Sequence, residues 1–196
     1  MSRKQHSEYV SAPVLESLCN EAADLASGAM ESVLGLNPSL AFESCASLAF
    51  EAFVASAGLN VATLGFRLQP LPRVLLLTLD QRGIEAVLDA QLGGELAAGE
   101  DIRPLTAVDL HIARGVLAPM AAALAEAFAR VLPDARYEDV FLSPRLDLRP
   151  YLAAQESCLV ARYAFGLGGV WGRMRLCLPR EGLGAIETQL LGARLT

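Results

Sequence analysis

Shifted by 99 positions, one stretch of the chain overlays another. Leu77, Leu79, Gly83 and Ala86 fall on Leu176, Leu178, Gly182 and Ala185, while Ile84 and Val87 fall on Leu183 and Ile186. Asp80 falls on Pro179, and both residue types start helices. The order of long helix, strands and short helix recurs around each copy. A half of this kind cannot bury its apolar face alone, so the two must share one core. This predicts an α+β fold in a single domain, residues 14–196. Two helix–strands–helix units, residues 14–94 and 105–191, share a central sheet flanked by long helices about a pseudo-twofold axis. Residues 1–13 carry no hydrophobic period and are expected to form a disordered tail.

The elements follow from periodicity. Apolar residues at Val14/Leu15, Leu18/Cys19, Ala22, Leu25/Ala26, Ala29/Met30 and Val33/Leu34 recur every 3.6 positions, and Asn37-Pro38 ends that helix. Residues 39–50 read weakly as a strand. Residues 61–68 alternate, with Ala62, Leu64, Phe66 and Leu68 on one face and Thr63 and Arg67 on the other. Residues 69–72 carry two prolines and read as a turn; 74–79 are a continuous apolar run, as in a buried strand. Asp80 caps a helix through Ile84, Val87, Leu88 and Leu92 that stops at Gly93-Gly94, before a polar connector over 95–104. Thr106 and Asp109 form a capping-box pair. They open a helix to about Leu132, with Val108, Ile112, Val116, Met120, Leu124, Phe128 and Leu132 on its stripe, and Pro119 is expected to kink or split it. Strands are expected near 137–142, 158–165 and 170–178, with Gly166-Leu167-Gly168-Gly169 as a hairpin turn. A last helix is expected from about Arg180 to Leu191.

Composition excludes several functions. At 53% hydrophobic residues the chain can build a sizeable core, and a net charge of −6 argues against nucleic acid or an anionic membrane as the main partner. No uninterrupted apolar run approaches the roughly 20 residues that span a bilayer. The polar start, Met1-Ser2-Arg3-Lys4-Gln5-His6, precedes no signal-peptide core, so a cytoplasmic protein without direct membrane insertion is expected. Cys19, Cys45, Cys158 and Cys177 are widely spaced in apolar segments and read as reduced core thiols. The histidines, His6 and His111, make no metal-binding spacing, and no phosphate-binding loop or nucleophile–His pair occurs. Neither enzyme activity, metal nor cofactor is expected. Arg162, Arg173 and Arg175 take the alternate face of their strands, with Trp171 nearby. That face is either solvated or a partner-binding surface.

Several stretches, in order and spacing, resemble the middle domain of the flagellar motor switch protein FliM. They are Leu48-Ala-Phe-Glu-Ala-Phe53, Leu64-Gly-Phe-Arg-Leu-Gln-Pro-Leu-Pro72, Val74-Leu-Leu-Leu-Thr-Leu-Asp80 and Val87-Leu-Asp-Ala-Gln-Leu-Gly-Gly94. Leu105-Thr-Ala-Val-Asp109 and Leu167-Gly-Gly-Val-Trp-Gly-Arg-Met-Arg-Leu-Cys-Leu-Pro179 complete the set. The resemblance implies a pseudo-symmetric fold of the CheC/CheX type and a non-catalytic protein-interaction module. Its expected partners are a FliG-like rotor protein and further copies of itself. The family's Gly-Gly-x-Gly loop, which contacts FliG, corresponds to Gly93, Gly94, Glu95 and Leu96, with leucine in place of the last glycine. Residues 1–13 show no acidic-hydrophobic segment for phosphorylated CheY, and the sequence stops at Thr196 without a FliN-pairing domain. The chain is therefore expected neither to sense phosphorylated CheY nor to anchor to a FliN-type ring. The alternatives are a component of a type III secretion cytoplasmic ring and a CheC-like phosphatase. The phosphatase would need Glu-x-x-Asn, but Ser17, Leu34 and Ala57 stand three residues before Asn20, Asn37 and Asn60.

Overall fold

Two helices of 22 residues each frame the molecule, α1 (Pro13–Leu34) and α4 (Ala107–Phe128). The computed structural model describes residues 8–9, 12–58, 60–93, 103–145 and 153–190. Proline opens α1 in its first turn, where an N–H would lack a partner anyway. Gly35, with φ of 66°, closes it by donating its N–H to the Glu31 carbonyl, two residues before the expected Asn37-Pro38 stop. Each buried position of α1, moved 94 residues on, is buried in α4: Leu18 matches Ile112, Ala22 Val116, Ala26 Met120 and Met30 Leu124. The two helices present the same face to the same core.

The strands are β1 (Glu8–Tyr9), β2 (Ser39–Ala49), β3 (Val61–Gln69), β4 (Val74–Asp80), β5 (Arg136–Ser143), β6 (Ser157–Leu167) and β7 (Val170–Pro179). They form one sheet in the order β1-β2-β6-β7-β4-β3-β5, antiparallel throughout. Apart from β1 the order is palindromic, with β2, β6 and β7 matching β5, β3 and β4. At its centre Leu77 faces Leu176, its own copy 99 residues on, so the twofold axis passes between them. Even the irregularities repeat. Glu43 in β2 and Val140 in β5 are the extra residues of two β-bulges, 97 positions apart. The expected pseudo-twofold α+β architecture is the one observed.

The helices divide unequally over the sheet. On one face α1, α4 and α3 (Gln81–Leu92) cover the larger core, which includes Leu64, Phe66, Leu77, Tyr163 and Leu176. On the other, α2 (Phe50–Ala57) sets Phe50 and Phe53 over Leu76, Cys158, Val160 and Cys177. The sheet is therefore buried on both sides near its centre, which is why β4 reads as a continuous apolar run rather than a strict alternation.

Several expectations are corrected. Helix α2 stands where only the end of a weak strand was expected. Helix α4 stops at Phe128, four residues early, because Pro133 lies just beyond, and Pro119 sits inside an unbroken helix. Val33 and Val108, assigned to the apolar stripes, are exposed. A spacing that departs from the 3.6-residue turn drifts around the helix, so a residue at either end of a long stripe leaves the buried face. The last helix is broken into α5 (Arg180–Leu183), a 3₁₀ turn (Gly184–Ile186) and α6 (Glu187–Leu190), with Gly184 at φ of 47°. Within the stretch expected as a tail, Glu8–Tyr9 pair with Ser47–Ala46; residues 1–7, 10 and 11 lie outside the described residues.

All four cysteines are buried and free. Burial pushes the Cys19 thiol up to about 12 and Cys45 to about 11, so neither is a thiolate at neutral pH. The Tyr163 ring is edge-on to Phe42 at 5.8 Å, and its hydroxyl, beside the Cys19 thiol, is buried without a well-formed hydrogen bond. An unsatisfied hydroxyl costs folding free energy that phenylalanine would not. Tyr163→Phe is therefore expected to leave stability unchanged or raise it by about 1 kcal/mol in urea unfolding.

Candidate partner-binding site

The expected site follows α3, and the structure shows how the ends of that connection are held. Asp80, at the end of β4, accepts the Gly83 N–H at 3.0 Å and so starts α3 as expected. Gly93, at φ of 70°, ends it by donating its N–H to the Asp89 carbonyl. A left-handed residue here favours glycine, so Gly93 is explained by the helix stop itself. Beside it Leu92 is 76% exposed, the most exposed large apolar residue among those described. Gly94, Glu95 and Leu96 lie outside the described residues.

The next described residue is Arg103, which reading 95–104 as a plain connector missed. Its guanidinium makes two parallel bonds to Asp109, at 2.7 and 2.8 Å, and approaches Glu85 at 3.7 Å. Its backbone N–H meets the Gln81 side chain at 3.4 Å. Arg103 thus ties the start of α4 to the first turn of α3, while Gly93 stands at the far end of α3. Asp109 also accepts the Thr106 N–H at 2.6 Å and hydroxyl at 2.7 Å, completing the expected capping box. The Arg103 guanidinium, then the Thr106 groups, hold the Asp109 carboxyl well below the usual carboxylate range. A basic residue three positions before a Thr-x-x-Asp box is the signal that could have found this anchor.

Among the described residues no three His, Cys, Asp or Glu side chains converge as metal ligands, and His111 is exposed on α4. Helix α4 is long and apolar enough to cross a membrane by composition, with a mean hydropathy of 1.3 over its most apolar window. Half of that window is buried inside the domain, where it supplies the core against α1 and the sheet.

The family model described as flagellar motor switch protein FliM matches residues 10–195, nearly the whole chain. The chain belongs to the FliM family. No curated protein sequence matches it closely enough to count as a relative. Among solved structures, a chain of the FliG–FliM complex from H. pylori superposes with a TM-score of 0.79 at 17% identity, over 98% of this chain and 100% of that one. The FliM middle domain from Vibrio alginolyticus gives 0.78 at 16% identity, over 91% and 100%. FliY from Thermotoga maritima gives 0.74 at 11%, over 94% and 97%. At these identities the likeness is one of fold. It places a FliM-type architecture under the duplicated sheet and its two long helices.

Proposed function

We propose that this domain is a non-catalytic docking module of the flagellar motor switch that binds a FliG-like rotor protein through Gly93, Gly94, Glu95 and Leu96. The observation that carries the proposal is the end of α3. Leu92 stands exposed beside the helix-stopping Gly93, in a FliM-family chain whose Gly93-Gly94-Glu95-Leu96 resembles the family's Gly-Gly-x-Gly loop. A glycine pair lets a partner's backbone approach closely, and Leu92 adds apolar contact that water otherwise covers. The structural relative from H. pylori was solved as a FliG–FliM complex, which favours a partner of this kind. The domain acts mechanically, at the cytoplasmic side of the motor, by holding its partner and moving with it.

Calorimetry against a FliG middle domain tests this. Binding is expected, and Gly94→Asp is expected to weaken it at least about tenfold without moving the thermal midpoint. Binding of parent and variant with equal affinity would remove the loop from the interface. Failure of the folded parent to bind would remove the partner.

A further inference from the structure

The face of the sheet opposite α1, α3 and α4 carries a cationic surface that neither the fold nor the site above uses. Helix α2 covers only part of this face. Beyond it, one row of paired residues crosses six strands: Ser44, Arg162, Arg175, Thr78, Thr63 and Ser143, of which Thr78 and Thr63 are buried and the surface lies toward Arg162 and Arg175. Arg173 and Trp171 follow on the same side of β7, at alternate positions. Arg173 and Trp171 are exposed, Arg162 and Arg175 half-buried. Gly172, between them, turns to the opposite side, where its backbone packs on Gly83 of α3.

Three features set this surface apart from a merely solvated one. First, none of the three guanidinium groups has an ion-pair partner among the described residues. The carboxylates nearest in effect, Asp80 and Glu43, act on Arg175 only from beyond contact distance. Second, the charges are crowded. Arg162 and Arg175 face each other directly across β6 and β7, and burial followed by the charges of Arg162 and Arg173 pulls the Arg175 guanidinium below its ordinary range. Like charges opposite one another destabilise a sheet unless something offsets them. Third, the aromatic rim is fixed. The Trp171 ring lies on Gly166 so closely that a methyl group there would stand 2.7 Å from its Cζ3, yet the residue is 56% exposed. In a chain of net charge −6 this is a local reversal of sign.

We propose that the face formed by Arg162, Arg173 and Arg175, with Trp171 at its rim, docks an extended acidic segment of a protein partner. Along a strand, residues two apart stand about 6.8 Å from each other on one face. The groups presented by Trp171, Arg173 and Arg175 therefore match an extended chain with an apolar residue and two carboxylates at alternate positions. Arginine meets a carboxylate with two parallel N–H donors, which gives such a segment register as well as attraction. A long polyanion is a poorer fit, because the acidic remainder of the surface repels what extends past the patch. The proposal is independent of the loop after α3, because α3 itself packs on the other side of the sheet.

Trp171 is the only tryptophan, so its emission reports on this face alone. The probe is an acetylated peptide carrying leucine, glutamate and glutamate at alternate positions separated by serines, with a lysine-for-glutamate control. The full chain is expected to show a saturable change in emission with the acidic peptide, weakening as salt rises from about 50 to about 300 mM. Arg173→Glu, at an exposed position, is expected to weaken binding about tenfold, and Arg162→Gln less, neither with a lowered thermal midpoint because each relieves the crowding of like charge. The lysine control is expected to leave the emission unaltered. The proposal is overturned by an equal response to both peptides, by unchanged affinity in Arg173→Glu, or by no saturable change in the parent. A response to phosphatidylserine vesicles without one to the acidic peptide also overturns it, and assigns the face to a lipid surface.

Discussion

Gly172→Ala is expected to lower the stability of the domain by about 3 kcal/mol. A methyl group on Gly172 would stand 2.5 Å from the Gly83 Cα, 2.6 Å from its nitrogen and 2.7 Å from Asp80 Oδ1. None of these atoms is the loose end of a flexible side chain. Two are backbone of the first turn of α3, and the third is the oxygen that caps it. Relief requires α3 to lift off β7 or the Asp80 cap to break, and either one costs packing. Chemical unfolding would read the loss directly. The contrast is Gly28→Ala, since a methyl group at Gly28, inside α1, meets nothing within 4 Å. That exchange is expected to be neutral or to stabilise by up to about 1 kcal/mol through helix propensity. Equal effects at the two glycines would mean that α3 does not rest on β7 as described.

Asp109→Ala is expected to cost about 2 kcal/mol at neutral pH. It removes the capping-box carboxylate of α4 and the paired bonds from Arg103. The helix cap contributes about 1 kcal/mol, and the pair with Arg103 adds a similar amount because that guanidinium is partly exposed to solvent. The pH dependence has a definite sign. The folded state holds Asp109 below its ordinary pKa of 3.8, so it binds that proton less readily than the unfolded chain does. The contribution of the carboxylate is complete above about pH 5 and is lost as the pH falls below about 4 toward the folded value. Asp109→Asn should therefore flatten the acid limb of the stability profile. A variant whose acid limb runs parallel to the parent's would show that Asp109 is not held as described.

What could be read in the chain was local or repeated. Asp80 and Thr106 cap their helices as their spacing requires, because a cap needs only a short polar side chain and the next turn. Leu77 and Leu176 face each other because a repeat packed about a twofold must place equivalent residues on the axis. Helix α2 was hidden by the Ala- and Ser-rich stretch before it, which carries no period, although Phe50 and Phe53 stand one helical turn apart. The bulges at Glu43 and Val140 left no trace, since an extra residue in a strand is a property of the pairing and not of either strand alone. Arg103 was missed for a similar reason. Its partners, Gln81, Glu85 and Asp109, come together only when α3 and α4 pack. The face bearing Arg162, Arg173 and Arg175 stayed undecided in sequence because alternation tells which residues share a side, not which side the helices take. The structure puts the long helices on the other side.

Hydrogen exchange on the full chain, with and without a FliG middle domain, tests the docking role most directly. Slowed exchange is expected in peptides covering the end of α3 and the connection to Arg103, with the Trp171–Arg175 stretch of β7 unchanged. Protection confined to β6 and β7, or to the exposed side of α1, with the α3–α4 connection unaltered, would contradict it.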